Sequence, residues 1–201
     1  MVPALHDRLV LRRRVRRLAE LLADALPPCR TVLDVGAGDG QVGALVASLR
    51  PEVSVRGLDV SVRPRTAIPV TRYDGVSIPA AETPVDVVML VDVLHHAADP
   101  AALLVEARRV ASKAIVVKDH CKDGWMAGPT LRLMDRVGNA HHGVDLPYNY
   151  WPRRRWVTAC AEVGLDIQSW RDDLRLYPAL LRPVLERSLH FIAVLVPVDP
   201  D

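Results

Sequence analysis

Apolar residues along this chain alternate between helical and strand-like spacing, and the switches between the two mark out its elements. Leu5, Leu9, Val15, Leu18, Leu22 and Leu26 return at near-helical spacing, which predicts a helix over residues 4–25 that Pro27 and Pro28 end. A short β-branched run over 31–35 then breaks into Gly36, Gly38 and Gly40 and leads into a second helix over 41–49. A strand over 53–59 ends in Asp59, a short helix is expected over 61–67, and a third strand over 69–73 runs into Asp74 and Gly75. The near-continuous apolar run 85–91 is a fourth strand, and Asp99 followed by Pro100 caps and opens a helix reaching about residue 111. A fifth strand covers 113–118, a short helix 129–137, a helix opened by Pro152 and stopped by Gly164 covers 152–163, and strands follow at 165–170 and 189–196, separated by a linker over 174–186.

Strands alternating with helices predict an α/β fold: a seven-stranded, mostly parallel sheet with helices on both faces. The last two strands lack a full crossover helix between them, so they are expected to pair as an antiparallel hairpin at the sheet edge. With 201 residues, 50% of them hydrophobic, the chain can bury one sizeable core and is read as a single domain over 1–201. Its parts are an N-terminal helix over 1–28, a cofactor-binding core over 29–120, a lid or substrate insertion over 121–151, and a helix plus C-terminal hairpin over 152–201.

Composition narrows the function classes. The formal net charge of +2 is too small to imply a polyanionic partner. Arg12, Arg13, Arg14, Arg16 and Arg17 crowd the first helix, but no aromatic residues interleave to stack on bases, so they read as a solvated face and no nucleic-acid partner is expected. No uncharged apolar stretch approaches the ~18–20 residues of a membrane span. Cys29, Cys121 and Cys160 form an odd, widely spaced set, which argues against a disulfide framework and for a reducing, cytoplasmic setting.

The glycine loop after the first strand is the front of a nucleotide-binding unit, because the backbone must turn tightly and approach a ligand closely. Gly38, Gly40 and Gly43 satisfy the G-x-G-x-x-G spacing of dinucleotide sites. Asp34 argues against that ligand, since a carboxylate at the strand's mouth repels a pyrophosphate and suits a cationic amino group. Asp59, about 20 residues beyond the glycines, suits a ribose diol and so supports an adenosine ligand of either kind. The stretch VLDVGAGDG resembles motif I of the class I S-adenosylmethionine-dependent methyltransferases, and VDVVMLV followed by Asp92-Val93-Leu94-His95-His96 resembles their motif IV. The likeness is to the small-molecule, type 11-like members. It implies a Rossmann-like sheet of strand order 3-2-1-4-5-7-6. It also implies that Asp34, Gly36, Gly38 and Gly40 hold the methionyl part of S-adenosylmethionine, that Asp59 and Val60 take the ribose, that Asp74 and Gly75 meet the adenine, and that Val91 and Asp92 border the transferred methyl. An NAD-binding oxidoreductase and a non-catalytic protein that keeps the cofactor fold are the alternatives.

The expected reaction is methyl transfer to oxygen or carbon of a small organic molecule, by in-line displacement, in chemistry of the secondary-metabolite kind. The protein's share beyond positioning is removal of a proton. Asp92, His95, His96, Asp119 and His120 stand where the fourth and fifth strands end. His120 or His95 is the expected base, with Asp92 beside them, Asp119 able to orient an imidazole and His96 read as a pocket-lining residue. No closely spaced ligand motif is present, so no metal is expected. The insertion carries His141 and His142, which can face substrate. Trp125, Tyr148, Tyr150, Trp151 and nearby Trp156 concentrate the chain's few aromatics, which suits an apolar or aromatic acceptor. A homodimer is left open.

Overall fold

A computed structural model of the chain describes residues 2–79, 85–139 and 148–198, the side chains of 2–11 and 137–139 excepted. Helix α1 (Val2–Ala25) precedes β1 (Thr31–Val35), α2 (Gln41–Leu49), β2 (Ser54–Asp59), β3 (Val70–Arg72) and β4 (Val85–Val91). A 3-10 turn (Leu94–His96), α3 (Pro100–Val110), β5 (Ala111–His120), α4 (Ala127–Asn139), α5 (Arg153–Glu162), β6 (Leu165–Arg171), α6 (Arg182–Leu185) and β7 (His190–Pro197) follow. The seven strands form one sheet of order 3-2-1-4-5-7-6, parallel except for β7, which runs antiparallel to both β5 and β6.

Side-chain alternation explains why β4 is apolar throughout. Val88 and Leu90 point into a core shared with Leu104 of α3 and Trp156 of α5, while Val87 and Met89 point into the opposite core with Leu22 of α1 and Val46 of α2. The parallel register aligns the carboxyl ends of β1, β2 and β4, so Asp59 and Asp92 emerge on the same edge as the glycine loop. Helix α3 starts as expected: the Asp99 side chain accepts from the amides of Ala101 and Ala102, at 3.0 and 3.1 Å, and Pro100 occupies the first turn.

Three expectations need correction. Residues 61–67 are not helical. Ser61 is tied back to Asp59, and the amide of Ala67 bonds to the Asp39 carbonyl at 2.8 Å, so the segment becomes a strap that packs Ile68 against the glycine loop. Strand β5 extends to His120 because β7 pairs with it all the way to His190. The indole and phenyl rings do not gather at a pocket. Trp156 contacts Trp151 and Phe191 with ring centres 4.9 and 5.1 Å apart, and Trp170 stacks on Phe191, which makes them part of the core beneath the sheet's antiparallel edge. The Trp156 indole is anchored there by donating to the His120 carbonyl at 3.2 Å.

Candidate active site

The glycine loop leaves β1 with left-handed backbone at Gly36, φ 78°, and Gly38, φ 58°. A Cβ on Gly36 would stand 2.3 Å from the Val93 side chain, so no other residue fits; a Cβ on Gly38 would meet nothing within 4 Å, because that position opens onto a cavity. Asp59 holds the loop: its Oδ2 accepts from the Gly38 amide and its Oδ1 from the Ser61 amide, both at 2.8 Å. Each oxygen can accept a further bond, and Asp59 lines a cavity. Asp34 is buried, and its Oδ1 has no hydrogen-bond partner. Burial, with the charge of Asp59 behind it, pushes its pKa up to about 7.

The cavity has a volume of about 830 Å³, near the upper end of the roughly 300–1,000 Å³ that small-molecule sites occupy. Gly36, Gly38, Asp59, Val60 and Gly75 line one end. Asp92, His120, Asp135, Leu133 and Tyr177 line the other. A smaller recess shares Gly36 and Asp92 and adds Asp34 and Val91. Gly40 lies behind the loop, against Ile68. Asp74 stands apart: it is exposed, and its Oδ1 closes a turn by accepting from Val76 and Ser77 at 2.8 Å, while its neighbours Tyr73 and Gly75 line the cavity.

At the far end the carboxyl ends of β4 and β5 meet α4. Asp92 adopts left-handed backbone, φ 56°, which Asp tolerates better than most residues. Its carboxylate pairs with the fully buried ammonium of Lys118 and lies 3.7 Å from the Arg14 guanidinium. Burial would raise the Asp92 pKa, but Lys118, His120, Arg14 and His95 together hold it well below the ordinary carboxylate range. Asp119 is wholly buried. Its Oδ2 accepts from the Leu94 amide at 3.0 Å, and its Oδ1 accepts from His95 Nδ1 at 2.6 Å. On the other side of the same ring, His95 Nε2 stands 3.4 Å from Asp135 Oδ2. Burial would lower the His95 pKa, but the charge and hydrogen bond of Asp119, with Asp135 beyond, drive it up to about 10.

That removes His95 as the expected base. An imidazolium held between two carboxylates is already protonated near neutral pH and cannot accept a second proton. Its positive charge in turn, second only to desolvation, pushes the half-buried His96 down to about 4, so His96 stays neutral. Asp119 does orient an imidazole, that of His95 rather than its neighbour.

His120 differs from His95. Burial lowers its pKa, so this ring too is neutral, and unlike His96 it stands among the carboxylates of Asp92 and Asp135. Its Nε2 faces Asp92 Oδ1 and Asp135 Oδ1, each at 3.6 Å, and its Nδ1 lies 3.0 Å from His190 Nδ1. Lys118, Asp135 and His190 went unnoticed in the sequence, and Tyr150 reads there only as one of the aromatics of the insertion. Tyr150, near the end of the insertion, donates to Asp135. The strongly two-sided apolar and polar pattern of residues 127–139 is the one signal that points to Asp135 on an inward face. His141 and His142 lie outside the described residues.

Among the described residues, the ligand atoms of Asp92, His95 and His120 lie within 4.8 Å of one another, as do those of His95, His96 and Asp135. Lys118 and Arg14 already pair with Asp92 in the first group, and protonated His95 stands against Asp135 in the second.

A methyltransferase-domain family model matches residues 6–169. The chain belongs to the class I S-adenosylmethionine-dependent methyltransferases. An uncharacterized 37.1 kDa protein in transposon Tn4556 of Streptomyces fradiae is 34% identical over 117 residues, covering 52% of this chain and 34% of that protein. The chain thus spans about a third of the length of that curated relative. Two solved structures share the fold at 18% identity. One, described as a complex between the Haloferax volcanii Trm112 methyltransferase activator and a methyltransferase, aligns with a TM-score of 0.65 over 90% of each chain. The other, the mitomycin 7-O-methyltransferase MmcR, aligns at 0.64 over 91% of this chain and 54% of that one.

The family's cofactor is S-adenosylmethionine. The methyltransferase loop fits it on two observations: the unpartnered buried carboxylate of Asp34, which awaits a cation, and the open space at Gly38, which a side chain would fill.

Proposed function

We propose that the chain transfers a methyl group from S-adenosylmethionine to oxygen or carbon of a small organic molecule, and that His120 is the base. The observation that carries this reading is a neutral imidazole whose Nε2 faces the same cavity as the glycine loop, 3.6 Å from each of two carboxylates. When bound, S-adenosylmethionine supplies an electrophilic methyl group on a sulfonium centre. Asp34 is assigned to its amino group and Asp59 to its ribose hydroxyls, with Val60 and Gly75 against the nucleoside and Val91 and Asp92 at the methyl. His120 takes the acceptor's proton at Nε2, and Asp92 and Asp135 stabilise the imidazolium that results. The space bordered by Leu133, Met134, Tyr177 and Leu185 suits an acceptor with an apolar or aromatic body. The likeness to a protein named as a mitomycin 7-O-methyltransferase supports a hydroxylated secondary metabolite.

The test is calorimetric titration with S-adenosylmethionine, S-adenosylhomocysteine and NAD in parallel, followed by transfer of labelled methyl to a panel of phenols, alcohols and acidic C–H compounds. Binding of the first two is expected. Asp59→Ala should weaken it by at least tenfold, because each hydrogen bond to a charged acceptor is worth about 1.5–3 kcal/mol. Binding of NAD alone would overturn the reading.

Asp34 makes a second prediction. With its pKa at about 7, the free chain carries a largely neutral Asp34 at pH 6. The folded pKa lies above the ordinary value, so this group costs stability as pH rises from the usual carboxylate range toward 7. A cationic amino group beside it restores the carboxylate, so cofactor binding at pH 6 should release most of one proton. Titrations in buffers of different ionisation enthalpy measure that release, and Asp34→Asn should abolish it. Equal release from both proteins would remove Asp34 from the amino-group site.

A further inference from the structure

The antiparallel register of β5 and β7 sets His120 directly opposite His190. Both rings are buried, and their Nδ1 atoms approach to 3.0 Å. On its far side His190 Nε2 lies 3.1 Å from the carbonyl of Leu185. A carbonyl only accepts, so His190 must carry a hydrogen on Nε2. Burial, then the positive charge of Lys118, pushes the His190 pKa well below the usual value, so the ring is neutral and its Nδ1 is a bare acceptor. The hydrogen between the rings therefore belongs to His120. With it on Nδ1, a neutral His120 has a bare Nε2, the nitrogen that faces Asp92 and Asp135.

We infer that His190 is a positioning residue: it fixes His120 in the Nδ1–H tautomer and so aims the lone pair of Nε2 into the cavity. The competing tautomer would set two bare nitrogens against each other at 3.0 Å in a buried site. Opposing this, Asp92 and Asp135 draw the hydrogen toward Nε2, but from 3.6 Å, beyond hydrogen-bond length. The closer contact decides. When His120 acts, the acceptor's O–H bond breaks, its electron pair stays on the acceptor, and the proton forms the new N–H bond at Nε2. The Nδ1–H toward His190 is unchanged. The use of this tautomer rests on His120 being the base; its existence does not.

The test is a long-range proton–nitrogen correlation spectrum of the full chain carrying nitrogen-labelled histidine, with no cofactor or acceptor present. His120→Gln identifies the His120 signals among the 7 histidines. His120 should show a protonated Nδ1 and a bare Nε2, and His190 the reverse. In folded His190→Phe, which offers no acceptor, His120 should switch to Nε2–H. A wild-type His120 protonated at Nε2, or an unchanged tautomer in folded His190→Phe, would overturn the inference. The wild-type spectrum alone decides the matter if the variant does not fold. Because no turnover is read, a failure of the proposed methyl transfer leaves this result standing, and the reverse also holds.

Discussion

His120→Gln is expected to lower methyl transfer by about 10²- to 10⁴-fold, the usual contribution of a positioned base, while leaving the affinity for S-adenosylmethionine unchanged. Glutamine keeps much of the shape of the ring and can still bond to His190, but its amide nitrogen does not take a proton. His120 is placed at the end opposite Asp59 and the glycine loop, so cofactor binding should not register its loss. His95→Gln makes the contrast. That ring is a buried cation between Asp119 and Asp135, and removing its charge should act first on stability. The pH profile carries a further check. Burial lowers the pKa of His120, so its basic form persists below the ordinary histidine value, and the rate should hold as pH falls through 6.5 and decline only in more acid solution. A rate that is unmoved by His120→Gln, measured with any acceptor the transfer assay identifies, would remove this residue from the mechanism.

The second large effect is on folding. Asp92→Asn should destabilise the chain by about 3–5 kcal/mol, the cost of leaving a buried ion without its partner. Lys118 is fully buried and ends against the Asp92 carboxylate. Burial already pulls its pKa down, and the charge of Asp92 is the largest opposing influence. In the variant the ammonium meets a neutral amide. A lysine with a depressed folded pKa gains stability as it loses its proton, so the deficit should shrink as pH rises toward 10. Adding Lys118→Met should recover much of the loss, since a buried pair replaced as a whole by neutral or apolar groups is often neutral. Urea melts of the two variants between pH 6 and 10 test this. A loss under 1 kcal/mol in Asp92→Asn, independent of pH, would mean that Lys118 reaches water or another anion.

His95 shows why part of the site could not be read in one dimension. The sequence places it in a motif IV segment beside Asp92, and both belong at the carboxyl end of β4. Its protonation state depends on Asp119, 24 residues further on, and on Asp135 in another helix. Neither contact leaves a local mark. The same holds for His190, whose partnership with His120 spans 70 residues and exists only because β7 pairs with β5 in one particular register. The tryptophans went wrong for a related reason. The sequence groups them with Tyr148 and Tyr150 because Trp125, Trp151 and Trp156 fall in or near one segment, but sequence proximity does not say whether a ring turns to a cavity, to solvent or to the core beneath the sheet edge.

What the sequence determined by itself was the succession and identity of the strands and most helices along the chain, the antiparallel ending of the sheet, the cap at Asp99, and the glycine loop with Asp59 at its side. Each of these is carried by residues a few positions apart, through a period of two, a period near 3.6, or a backbone angle that only glycine supplies without strain. Tertiary structure alone decided which histidines are neutral, which one is protonated near neutral pH, where Lys118 finds its counter-charge and which nitrogen of His120 is bare. Those are properties of charges in a medium of low polarizability, where contacts between chain-distant groups and their distance from water outweigh anything the neighbouring residues contribute.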